Sequence, residues 1–287
     1  MPCSTSNPGH FWAPRKQTPK ALSAALFAHL LVAATTARAE APEITWELGA
    51  SNQFFHYEET LPNGATFNTE KGWLPGLYLS SSVALPRDFL LAFTVSRAKG
   101  TVDYEGATQA GRALSTNTIE TLTRVRAELV TPLPNVLPDA LTGVIDIGYT
   151  RWNRKIQPTR YSSHLYEHYR WYEFSGGLRH CSTPSALPGI ERICATAKLT
   201  RTEYGTMIVR LEQLNLGNPE LNLGGNWGGE ASLKLDLEGP FTLRLYSKTW
   251  NHGASNPVII QQAKKTTRIT EPASQSWLTG LEVGLRF

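Results

Sequence analysis

The chain has 287 residues, 41% of them hydrophobic and 18% charged, with 28 basic and 24 acidic side chains and a formal charge of +4. Arg15, Lys16, Lys20 and Arg38 all fall in the first 39 residues, which contain no acid, so 28 less 4 bases balance 24 acids in the remainder. That neutrality gives no reason to expect nucleic acid as a partner, and no run of eighteen apolar residues follows position 39 to form a membrane-spanning helix.

The amino-terminal stretch sets Arg15, Lys16 and Lys20 before an apolar run from Ala21 to Ala34 and the small-residue triplet Ala37-Arg38-Ala39. This is the order of a secretory signal, and the run is too short to cross a bilayer of ~30 Å as a helix. Residues 1–39 are expected to direct export through the Sec pathway with cleavage before Glu40, leaving residues 40–287 as one folded unit. No Cys follows the run to accept a lipid. An exported chain of this kind is a soluble periplasmic or secreted protein, or a membrane barrel.

After the signal, about ten segments alternate in the manner of membrane strands: 43–57, 73–84, 89–104, 117–130, 142–154, 165–180, 194–209, 226–237, 241–252 and 276–287. The connections fall into two sets. Leu85 to Asp88, Pro132 to Ala140, Ser182 to Glu191 and Glu238 to Pro240 all contain Pro and read as tight turns. Glu58 to Gly72, Glu105 to Ser115, Lys155 to His164, Glu212 to Gly225 and Gly253 to Gln275 are longer on average and more polar, and are expected to face the cell exterior. The strand-like runs Val258–Gln261 and Thr266–Ile269 leave eight or twelve strands open, or extend a hairpin above the membrane.

Side chains alternate sides along a strand. In 117–130, Ile119, Thr121, Thr123, Val125, Ala127 and Leu129 therefore face away from Glu120, Arg124, Arg126 and Glu128. In the last strand, Trp277, Thr279, Leu281, Val283, Leu285 and Phe287 share one face, opposite Leu278, Gly280, Glu282, Gly284 and Arg286. This ending resembles the final strand of bacterial outer-membrane β-barrels, whose assembly machinery reads a terminal Phe or Trp. The resemblance implies an antiparallel up-and-down barrel in the outer membrane of a Gram-negative bacterium. It also implies outer-membrane lipid, lipopolysaccharide and the assembly machinery as partners.

Trp73, Trp152, Trp171, Trp227, Trp250 and Trp277 fall near the outer ends of the strands, as expected for an interfacial aromatic girdle. Cys181 and Cys194 flank a turn-rich stretch and pair across it in an oxidising compartment; a metal site there would need ligands beyond His180. The disulfide would contribute about 3 kcal/mol by closing a short loop. No cofactor or metal is implied elsewhere.

Projecting the alternation inward collects the acids Glu47, Glu120, Glu128, Asp146, Glu173, Glu230, Asp236 and Glu282. The matching bases are Arg124, Arg126, Arg179, Lys198, Lys234, Arg244, Lys248 and Arg286. Equal numbers suit a lumen filled by its own salt bridges, because an unpaired charge out of water costs several kcal/mol. Ten strands leave little room beyond the side chains themselves. Glu128, Arg124, Arg126, Asp146, Glu230, Lys234, Arg244, Lys248, Glu282 and Arg286 are the candidates for lining and binding within it.

In size and strand number the chain resembles the omptin proteases, but none of Asp88, Asp103, Asp139, Asp146 and Asp236 precedes a His by two, so the Asp-x-His element of that family is missing. Asn251-His252-Gly253-Ala254-Ser255-Asn256 is loosely similar to the His-x-Ser-Asn-Ala element of lipid A 3-O-deacylases, which implies His252 as base and Ser255 as nucleophile. One extra residue separates them here, which on a regular strand turns the two side chains to opposite faces. The clusters Arg151–Lys155 and His164–Tyr172 would bind lipopolysaccharide phosphates or an acidic sugar, or form a girdle of snorkelling bases.

The leading reading is a non-enzymatic outer-membrane barrel, either a narrow solute channel or a structural surface barrel with a charge-balanced interior. The alternatives are a lipid-modifying enzyme of the outer leaflet and a surface adhesin or receptor.

Overall fold

The computed structural model describes residues 43–107, 111–133, 141–211, 217–262 and 265–287. The expected signal, residues 1–39, and most of the Pro132–Ala140 turn lie outside them. The described chain is entirely β: β1 (Ile44–Thr60), β2 (Thr66–Leu85), β3 (Phe89–Ala107), β4 (Ala113–Pro132), β5 (Leu141–Ile156), β6 (Leu165–Ser182) and β7 (Ile190–Arg210). There follow β8 (Glu220–Gly225), β9 (Trp227–Leu237), β10 (Phe241–Gly253), β11 (Val258–Gln262), β12 (Lys265–Ile269) and β13 (Ala273–Arg286).

Each strand pairs antiparallel with its neighbour, and β13 pairs with both β10 and β1, so the sheet closes. β8 and β9 share one lane between β7 and β10, interrupted at Asn226. The result is a ten-lane barrel without a free edge, which removes the hazard of unpaired strand edges. β11 and β12 pair only with each other and form the hairpin above the barrel. At the inner rim, Trp46 and Phe287 exchange both backbone hydrogen bonds, at 2.9 and 3.0 Å. The short turn between β2 and β3 carries Arg87 and Asp88 at positive φ, and Gly239 does the same between β9 and β10.

The exterior explains why these strands stay paired in this register. Leu77 is 65% exposed, Leu199 68% and Ile145 60%, and Phe93, Val125, Phe174, Leu245, Val283 and Leu285 join them in a band around the wall. An apolar patch of that extent is far beyond what a soluble monomer exposes. A one-residue slip would turn that band inward and the interior charges outward. β1 to β7 are 16 to 21 residues long, against about 9–11 needed to cross a bilayer. Their outer ends therefore stand beyond the apolar band, where outward positions become Lys71, Arg97, Lys99, Arg151 and Arg170.

Three of the six tryptophans expected in a girdle are elsewhere. Trp73 and Trp227 do face outward and Trp277 is half-buried, but Trp152, Trp171 and Trp250 point into the lumen and are fully buried. Tyr57, Tyr104 and Tyr169 are likewise internal. Proximity to a strand end locates an aromatic along the barrel axis, whereas parity decides its side of the wall.

Candidate functional site

The interior is stacked in layers. Nearest the inner rim, Lys234 Nζ meets Glu47 at 2.7 Å, and Asp236 receives Arg192 at 2.7 Å and Arg286 at 3.7 Å, the latter also 3.4 Å from Glu191. Above them Glu230 is a hub for Arg244 at 2.7 Å, Arg126 at 2.9 Å, Lys198 at 3.4 Å and Lys248 at 3.9 Å. Arg244 reaches Glu282 at 3.1 Å, Lys198 reaches Asp146 at 2.7 Å and Glu128 at 3.3 Å, and Arg179 reaches Glu128 at 2.5 Å. Lys248 is bound closely by Glu173, and Arg124 donates to Gln53 Oε1 at 3.2 Å. Every residue projected inward from the sequence is therefore on the lumen side, but engaged with a neighbour. The cavity between Arg124, Arg126, Glu230, Arg244 and Lys248 is about 30 Å³, room for roughly one or two waters.

The next layer is apolar. Phe55, Leu74, Ala98, Leu122, Trp152, Trp171, Met207, Leu221, Trp250 and Leu278 bring one buried side chain from each of the ten lanes into a single cluster. Four rings close a circuit across the lumen: Phe55–Trp152 at 5.7 Å, Trp152–Trp171 at 6.4 Å, Trp171–Trp250 at 6.0 Å and Trp250–Phe55 at 6.4 Å. Such contacts add to the burial of large apolar surfaces.

Above the rings, Arg154 sits 1% exposed among carboxylates. Its guanidinium lies 2.6 Å from Glu167, 2.7 Å from Glu70, 3.3 Å from Glu59 and 3.9 Å from Glu120. It also stacks 4.5 Å from the Tyr57 ring centroid, a favourable cation–π placement. Glu271 hangs from the segment after β12 and accepts hydrogen bonds from Tyr169 at 2.7 Å and Tyr57 at 3.3 Å. This layer lies beyond the apolar band: its row Glu120, Arg154 and Glu167 is one residue from the row of outward Lys99, Asn153 and His168. Five carboxylates share one guanidinium, so some protons stay bound. Burial, opposed by Arg154 and reinforced by Glu59 and Glu70, lifts Glu167 to about 7. Burial, with Glu59 and Glu167 adding to it, raises Glu271 well above the usual carboxylate range.

Of this layer the inward projection from sequence contains only Glu120. Glu59 and Glu70 fall where a loop was expected, and Arg154 and Glu167 lie at strand ends read as surface clusters. The signal was available: Arg154 has the same parity as Asp146, and Glu167 the same parity as Glu173. Among the described residues no group of three or more His, Cys, Asp or Glu is arranged to hold a metal ion.

Cys181 and Cys194 are bonded at the inner end of the β6–β7 hairpin, facing each other in register. His252 and Ser255 are both buried but are not joined. Ser255 Oγ accepts from the Glu271 backbone N–H at 2.8 Å, while the His252 ring lies 4.9 Å from Trp171 and neither ring nitrogen has a hydrogen-bonding partner among the described residues. Ser255 thereby ties the loop after β10 to Glu271, a link repeated by its own N–H to the Glu271 carbonyl at 2.9 Å.

A closed antiparallel wall with hydrocarbon outside and ion pairs inside inverts the polarity of a soluble protein. The fold is that of a bacterial outer-membrane β-barrel. No protein-family model and no curated protein matches the sequence. Among solved structures, the outer membrane protease OmpT from Escherichia coli aligns at a TM-score of 0.48 and 5% identity, over 87% of this chain and 99% of that one. The β domain of the Bordetella autotransporter BrkA aligns at 0.44 and 9%, over 84% and 99%. The translocator domain of the autotransporter NalP from Neisseria meningitidis aligns at 0.38 and 11%, over 84% and 88%. At such identities the likeness carries nothing about activity.

Proposed function

We propose that this protein is a non-conducting surface barrel of the Gram-negative outer membrane, exported by the Sec route, whose lumen is a structural core and whose working surface is its exterior. The observation that supports it is the four-ring circuit, backed by a buried side chain from every lane. A hydrated solute path would have to pass between rings in mutual contact, and dry aromatic contacts give water and ions no polar partners.

The charge layers favour the same reading. A permeant ion would need to displace partners already at hydrogen-bonding distance around Glu230, and stripping one member from a buried ion pair costs about 3–5 kcal/mol. Liposome swelling tests the proposal. Proteoliposomes in an isotonic small sugar are expected to swell no faster than protein-free vesicles. Swelling proportional to protein content, and slowed by larger sugars, would establish a solute channel instead.

A further inference from the structure

We infer that the outer wall of β3 to β7 is a binding site for a phosphorylated, acylated lipid of the outer leaflet, with arginines at headgroup level and a groove for its chains below. Arg97, Thr123, Arg151 and Arg170 are register partners on consecutive strands and all face outward. Neighbouring strands lie ~4.8 Å apart, so the three guanidinium groups span about 15 Å along one level. Lys99 lies one outward step above Arg97, and Lys155 and Arg210 flank Tyr166 higher still.

This row is basic without being internally compensated. Arg97, Lys99 and Arg151 make no ion pair among the described residues. Arg170 meets Glu220 at 2.9 Å and donates to Thr206 at 2.7 Å, and both members of that ion pair are about half exposed. The other acids on the outer half of this wall are Asp103 and Glu105, both exposed on β3 nearer the outer rim, and Glu203, which is taken by Arg201 at 2.7 Å. His168 sits on the same wall next to Asn153. Partial burial together with the nearby Arg210 and Arg151 lowers its pKa, as a locally positive field requires.

Two further features lie directly below. Tyr149, Tyr172 and Tyr204 form a chain of outward rings, 5.3 and 6.3 Å apart, at the level where amphipathic aromatics meet lipid headgroups. Tyr204 holds a φ of 53° at a bulge opposite Arg170 and Tyr172, a left-handed conformation that is strained for a non-glycine residue. Below the tyrosines a groove of about 620 Å³ runs over small Ala127 and Gly176 between Ile147, Phe174 and Leu199. Apolar chains fit the groove, and multiply charged phosphate fits the row, through charge-assisted and bidentate contacts.

The inference does not depend on whether the lumen conducts. Its test uses the purified full barrel in neutral detergent, titrated with diphosphorylated lipid A and with its dephosphorylated form, binding being read by native mass spectrometry. Wild type is expected to bind the diphosphorylated lipid at least tenfold more tightly than the dephosphorylated one. Arg97→Gln/Arg151→Gln should abolish that preference, and Arg268→Gln, on the hairpin above the barrel, should leave it intact. Excess inorganic phosphate should not displace the lipid, since it lacks the chains. A girdle of bases that merely snorkels would bind both lipids alike. Equal binding of the two lipids by wild type, or an unchanged preference in the double variant, overturns the site.

Discussion

Replacing Arg154 with methionine removes the cation around which Glu59, Glu70, Glu120 and Glu167 gather. With its partners at 2.6 to 3.9 Å and its own side chain 1% exposed, the loss should cost about 3–5 kcal/mol at neutral pH, the range for breaking a buried ion pair. The pH dependence is more diagnostic. In the folded protein Glu167 titrates near 7, against an ordinary value of 4.5, so the folded state holds a proton that the unfolded state releases. Stability from this group is full below pH 4.5 and is lost as pH rises through about 7. Over about 2.5 units, at ~1.4 kcal/mol each, the loss is on the order of 3 kcal/mol. Glu271 is displaced in the same direction and extends the decline upward. Arg154→Met should therefore fall furthest behind wild type near pH 8, and the gap should narrow in acid, where Glu167 and Glu271 hold their protons. Urea unfolding in lipid vesicles, followed by tryptophan fluorescence, measures the gap. A gap independent of pH, or one that widens in acid, would refute the reasoning.

Glu230→Gln leaves Arg126, Arg244, Lys198 and Lys248 crowded around a neutral amide, so the urea midpoint should drop by an amount equivalent to about 3–5 kcal/mol; adding Arg126→Met, which removes the base paired with Glu230 alone, should recover part of it by relieving like-charge repulsion. Reducing Cys181–Cys194, which are thirteen residues apart, should cost about 3 kcal/mol, read as a lower unfolding temperature with no change in the folded spectrum. Deleting Phe287 removes the backbone pair with Trp46 at the inner rim. It is also expected to lower the fraction of heat-modifiable, folded barrel recovered from outer membranes.

All ten lanes were legible because an apolar exterior and a polar lumen impose period-two alternation on every strand, as in 117–130 and 276–287. The inward placement of residues such as Glu230 and Arg244 follows from the same parity. What escaped lies beyond the membrane. There the exterior is no longer apolar, so the alternation that reveals a strand fades, and Glu59 and Glu70 read as loop although β1 and β2 continue through them. Aromatic content is also ambiguous: a tryptophan suits an interface and a lumen equally, and only counting from Asp146 or Lys248 sets Trp152 and Trp250 inside. The Ser255–Glu271 contact is a long-range pairing between loop segments, for which local sequence carries no period.

Single-channel recording in planar bilayers addresses the closed lumen itself. Wild type should add no steady conductance, because the Phe55, Trp152, Trp171 and Trp250 rings touch across the barrel. Trp171→Ala/Trp250→Ala should remain folded, at a cost of about 3–5 kcal/mol for each truncation and less than their sum because the rings touch, and should show frequent opening events. Stable wild-type conductance, unchanged when those two rings are removed, would contradict a lumen sealed by aromatic packing.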